Sequence, residues 1–127
     1  MKLHQPMQRG CTLQEKARTL DYINRIRAAC GSNQLDSLPE GTVRSSSDCS
    51  IARALNELSQ TVLVFQDVIQ VDDLEFARII AEEFDLAQYK VDSAQDNLYN
   101  VPLPKIMQVF VENFDEGLYE DLVAAAV

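Results

Sequence analysis

Tryptophan is absent, histidine occurs once, and the three cysteines and four glycines are scattered along the chain. Each scarcity removes a class of chemistry. A Ser-His-Asp or Cys-His arrangement needs an imidazole base held against its nucleophile, and the sole candidate, His4, falls in a segment expected to be a flexible tail. Zinc sites draw on paired Cys and His ligands, and no Cys-x-x-Cys occurs. A glycosidase-like carboxylate pair would have no indole to stack a sugar against. Gly10, Gly31, Gly41 and Gly117 stand too far apart to form Gly-x-Gly-x-x-Gly or a P-loop. Long apolar runs are missing too. Nothing approaches the about 18 consecutive apolar residues of a membrane span, and residues 1–10 lack the apolar core of a secretory signal. These absences lead us to expect a cytoplasmic protein without membrane contact, cofactor, metal or catalytic residues.

The 127 residues suit one domain, and 46% apolar with 24% charged residues is an ordinary globular balance. The formal charge of -9 is unevenly spread. Residues 1–50 hold seven bases and five acids, a balance of +2, whereas residues 51–127 hold four bases and fifteen acids, a balance of -11. Most of such a surface repels nucleic acid, whose affinity for proteins comes largely from Lys and Arg displacing counterions.

Thr12 followed by Glu15 has the spacing of a capping box. Leu13, Ala17, Leu20, Ile23, Ile26 or Arg27, and Cys30 then recur at helical intervals, and Gly31 fits the left-handed residue beyond a helix end. The pattern predicts a helix over 12–30 after a tail at 1–11. It also separates Cys11 from Cys30 by on the order of 28 Å at ~1.5 Å per residue, far beyond the ~7 Å a disulfide spans. Residues 31–47 read as a loop long enough to be functional or mobile. Ser45 or Ser47 would cap a helix over 48–59.

Residues 61–66 and 68–71 have strand composition, although without glycine a tight hairpin between them is not expected. Asp72 or Asp73 opens a helix carrying Phe76, Ile79, Ile80, Phe84 and Ala87 on one side. Its other side carries Glu75, Arg78, Glu82 and Asp85, spaced so that Arg78 can pair with Glu75 and Glu82. A hairpin turning near residues 93–97 follows, then a helix over 105–115 entered at Pro104 and stopped by Gly117. The stripe Ile106, Val109, Phe110, Phe114 is its expected buried side, leaving Met107 and Val111 outside. A terminal segment adds Leu118, Leu122 and Val123 to the core. The whole reads as an α+β domain over 12–127, with three to four amphipathic helices and a small, mainly antiparallel sheet.

Two groups of residues invite a functional reading. Asp72, Asp73, Glu75, Glu82, Glu83 and Asp85 concentrate carboxylate on one helix, where the macrodipole already accounts for those in the first turn and where the oxygen alternation of an EF-hand is missing. Cys49 stands at the start of a helix, a position that can activate a thiol but that a small buried residue also fills.

The run Ser46-x-x-Cys49-x-Ile51-Ala52-x-Ala54-Leu55, with Leu103-Pro104 and Phe110-Val111-x-x-Phe114-Asp115-x-Gly117-x-Tyr119 downstream, resembles small proteins of actinobacteria and their phages. The matching positions cover about a quarter of the chain and carry no recognised chemistry. The resemblance implies an accessory-genome setting. The missing catalytic, metal and phosphate-binding patterns, with the segregated acids, lead us to expect docking on another protein; the resemblance implies an accessory or inhibitor protein whose acids occupy a basic, nucleic-acid-binding surface of the target. The alternative is a virion-type structural protein that self-associates through Met107 and Val111.

Overall fold

A computed structural model describes residues 4–86, 91–93 and 97–124, with residues 4–13 described by their backbone alone. The chain runs α1 (His4–Ala29), α2 (Ser50–Leu55), β1 (Val62–Val64), β2 (Val68–Val71), α3 (Leu74–Glu83), β3 (Asp92–Ser93), β4 (Tyr99–Pro102) and α4 (Lys105–Asp115), then a 3₁₀ turn at Glu120–Leu122. Among the described residues this is an α+β fold with a four-stranded antiparallel sheet in the order β1-β2-β4-β3. Its hairpin at β3–β4 encloses residues 94–96, which, like Ala87 of the expected α3 stripe, lie outside the described residues.

Strand register sorts the sheet into two faces, because side chains directly opposite each other point the same way. Val62 pairs with Val71, Val64 with Ile69, and Ile69 in turn with Val101; all five are buried against the helices. The alternate row, Leu63, Gln70, Asn100 and Asp92, faces away. α3 packs on β2 and β4, α2 on β1, and α1 on α4, α3 and α2. Within that helical layer Phe110 stacks on Tyr119 with ring centroids 4.8 Å apart, and Tyr22 meets Phe84 edge-on at 5.4 Å.

Several expectations need correction. α1 starts at His4, not at Thr12, and the capping box is unused: the Glu15 carboxylate that would reach back instead accepts hydrogen bonds from Tyr119 and Asn113. Pro6 is accommodated in the first turn, where amide hydrogens lack intrahelical partners anyway. α2 is only six residues, with Cys49 as its N-cap, and Ser45 Oγ accepts from the Asp48 amide instead of capping a helix.

β1 and β2 do form a tight hairpin despite the missing glycine. Neither Gln66 nor Asp67 takes a positive φ; the Phe65 amide donates to the Val68 carbonyl, and the Asp67 carbonyl accepts from Leu103 on the adjoining segment. The buried side of α4 is Met107, Phe110, Val111 and Phe114, while Leu118 is 55% exposed. The self-association contact expected of Met107 and Val111 is thus internal.

The 31–47 loop is pinned along its length. The Asn24 amide exchanges two hydrogen bonds with Leu35, at 2.7 and 3.0 Å. Arg27, only 4% exposed, donates to the carbonyls of Asn33 and Ala54 and pairs with Glu57. Gly41 donates to the Leu122 carbonyl and accepts from Ala124, joining the loop to the end of the described chain. A Cβ at Gly41 would lie 2.3 Å from the Ser50 backbone nitrogen, so the approach there admits only glycine.

Candidate functional site

The six carboxylates of the acidic helix divide by task. Asp73 is the N-cap of α3, its Oδ1 accepting from the Glu75 and Phe76 amides at 2.9 and 3.3 Å. Asp72 Oδ1 accepts from the Ser59 hydroxyl at 2.7 Å and from the Thr61 amide at 3.4 Å, tying α3 to the segment before β1. These two hold local structure. Glu75, Glu82 and Asp85 are exposed and Glu83 is half-buried, all in or just beyond α3. Asp85 closes the helix in the left-handed conformation, φ 61°, with the Leu86 amide reaching back to the Ala81 carbonyl.

The expected pairing of Arg78 with Glu75 and Glu82 does not occur. Ion pairs among the described residues join Lys16 to Asp121, Arg25 to Asp21, Arg27 to Glu57 and Arg53 to Asp48. None of these reaches α3. Charge on this helix is consequently left to the solvent, as Arg78, Glu75 and Glu82 all point outward.

Cys49 is 6% exposed. Burial pushes its thiol above the usual range, with nearby Asp115 adding in the same direction, and the amides of Ala52 and Ile51 oppose this more weakly. An activated thiol needs the opposite shift. Cys30 is likewise raised, by burial and then by Asp73.

Other polar groups had no signal in sequence spacing. Tyr119, 1% exposed, donates to Glu15 Oε1 at 2.6 Å, and Asn113 Nδ2 donates to the same oxygen at 2.7 Å. These contacts link α1 to the chain end across about a hundred residues of sequence. A cleft of about 310 Å³ gathers Arg44, Ser45, Ser46, Cys49, Val64, Phe65, Gln66, Val111 and Asp115 from three separate segments. Among the described residues, no three His, Cys, Asp or Glu side chains converge as metal ligands, and no helix is long and apolar enough to cross a membrane. Compared with known proteins, the chain matches no family model, no curated protein and no solved structure.

Proposed function

We propose that this chain acts without catalysis, by docking its α3 face on a basic surface of another protein. The supporting observation is the set of outward carboxylates Glu75, Glu82 and Asp85, none of which joins an ion pair among the described residues. Carboxylates already neutralised within the fold contribute little to steering a partner, whereas free ones on one helix set a local negative potential. Asp72 and Asp73 sit at the base of this surface and shape it through α3. The accessory-genome setting implied by the resemblance to actinobacterial and phage proteins favours a cytoplasmic target whose basic surface serves nucleic acid, with the chain as its inhibitor.

The test is capture from a host lysate at low and high salt, with the wild type and with Glu75→Gln/Glu82→Gln/Asp85→Asn. These substitutions lie at exposed positions and conserve shape. A partner retained by the wild type at low salt, released by high salt and lost with the triple variant is the expected result. No partner at either ionic strength, or one held equally by the triple variant, overturns the reading.

A further inference from the structure

The cleft between the 44–46 loop, the end of β1 and α4 lies outside the acidic helix and has its own chemistry. Its volume of about 310 Å³ reaches the lower end of the range for small-ligand sites. Val64, Cys49 and Val111 are its buried apolar lining, and beside them the Phe65 ring is 40% exposed.

Two opposite charges share the lining. Asp115 Oδ1 accepts from the backbone amide of Arg44 at 2.8 Å, and Arg44 sits at φ 58°, a left-handed position that glycine or asparagine fills at lower cost. The arginine side chain makes no hydrogen bond or ion pair among the described residues, so nothing within the described fold explains a cation at that strained position. The bond from Arg44 occupies Asp115 Oδ1 only. Gln66, also on the lining, donates to Glu112 Oε2 at 3.2 Å, which places a second carboxylate nearby.

A simple anion meets Asp115 and Glu112 here, and a simple cation meets Arg44. A ligand bearing both charges satisfies both groups. We infer that the cleft binds a free α-amino acid with an apolar side chain, its carboxylate on Arg44, its ammonium on Asp115, and its side chain against Val64, Phe65, Cys49 and Val111. The hydroxyls of Ser45 and Ser46 on the same lining offer further hydrogen bonds to the carboxylate.

Titration of ¹⁵N-labelled protein with phenylalanine and with leucine tests this, alongside N-acetyl-phenylalanine, which lacks the ammonium, and phenylalanine amide, which lacks the carboxylate. The expected result is saturable shifts confined to residues 44–49, 64–66 and 111–115, with both derivatives bound at least about tenfold more weakly. Arg44→Asn, tolerant of the left-handed conformation, should erase the preference over the amide. Asp115→Asn, which keeps an oxygen for the Arg44 amide, should erase the preference over the acetyl derivative. Circular dichroism checks that both variants are folded. Absence of saturable binding at millimolar ligand overturns the inference. So does equal binding of the acetyl derivative, which marks a peptide carboxy terminus as the ligand, or of the amide, which marks an amino terminus. Wild-type selectivity in either folded variant overturns it as well.

Discussion

The Tyr119 hydroxyl donates to Glu15 Oε1 at 2.6 Å, joining the first helix to the segment after the last one. Burial and this carboxylate acceptor both raise the phenol above its ordinary value, outweighing the Asn113 amide that acts the other way. Tyr119→Phe removes a buried hydrogen bond to a charged acceptor, so it should cost about 1.5–3 kcal/mol in urea unfolding. A phenol whose folded pKa exceeds its unfolded value, near 10, stabilises fully below pH ~10 and loses that contribution as pH rises through the folded value. Wild-type stability should fall above pH ~10 more steeply than that of Tyr119→Phe.

Arg27 is the second polar residue on which packing depends. Its guanidinium donates to the Asn33 and Ala54 carbonyls at 2.6 and 2.8 Å and pairs with Glu57, whose side chain is largely exposed. Replacement by Met keeps length and apolar stem but strands the Ala54 carbonyl in a buried setting and the Asn33 carbonyl in a half-buried one, at an expected cost of about 2–3 kcal/mol. Glu57→Gln should cost under about 1 kcal/mol, since solvent screens that partner. Guanidinium unfolding of both variants measures the difference. Equal losses would show that the ion pair, not the carbonyl contacts, carries the stability.

These two residues also mark where local pattern ceases to inform. The bounds of α4 follow from Pro104 and Gly117 and are reproduced by the structure at Lys105–Asp115, because both signals act within one turn. Its buried stripe is reproduced at Phe110 and Phe114 only: Ile106 and Val109 are half-buried while Met107 and Val111 face the core, since α1 on one side and the β1 end on the other widen the apolar contact. The Thr12–Glu15 box fails for a related reason, as Glu15 has a tertiary partner 104 residues away. The carboxylates of α3 are legible as a group, and Asp72 or Asp73 as its opening residue, yet only the structure shows that Asp73 is the cap while Asp72 ties the helix to Ser59 and Thr61. The Arg44–Asp115 cleft joins residues 71 apart and has no sequence period at all.

Acid titration should single out Asp48. Hydrogen bonds from Arg53 and then Thr42 hold its carboxyl at about 2, below the usual carboxylate range. A depressed folded pKa contributes stability above the unfolded value, near 3.9, and that contribution is lost as pH falls toward about 2. The Asp48 ¹³Cγ resonance should therefore titrate below the ordinary aspartate range. In Arg53→Gln it should move up toward the ordinary range. An unchanged midpoint in that variant would remove Arg53 as the cause.

The helix ends offer a test in the stabilising direction. α1, α3 and α4 close the same way, with amides of Ser32, Leu86 and Leu118 reaching back to the carbonyls of Arg27, Ala81 and Asn113. Gly31 and Gly117 occupy the left-handed position in two of them, at φ 77° and 78°, whereas Asp85 occupies it in the third at 61°. A side chain there crowds the following carbonyl, an expense glycine avoids even after its greater freedom in the unfolded chain is counted. Asp85→Gly should stabilise the fold by about 0.5–1 kcal/mol, and Gly117→Ala should destabilise it by about 1–2 kcal/mol. Nothing lies within 4 Å of a Cβ placed at Gly117, so backbone strain alone sets that second cost. If thermal unfolding instead showed Asp85→Gly to be destabilising, the carboxylate at the end of α3 would have to stabilise the folded state by more than the strain it imposes.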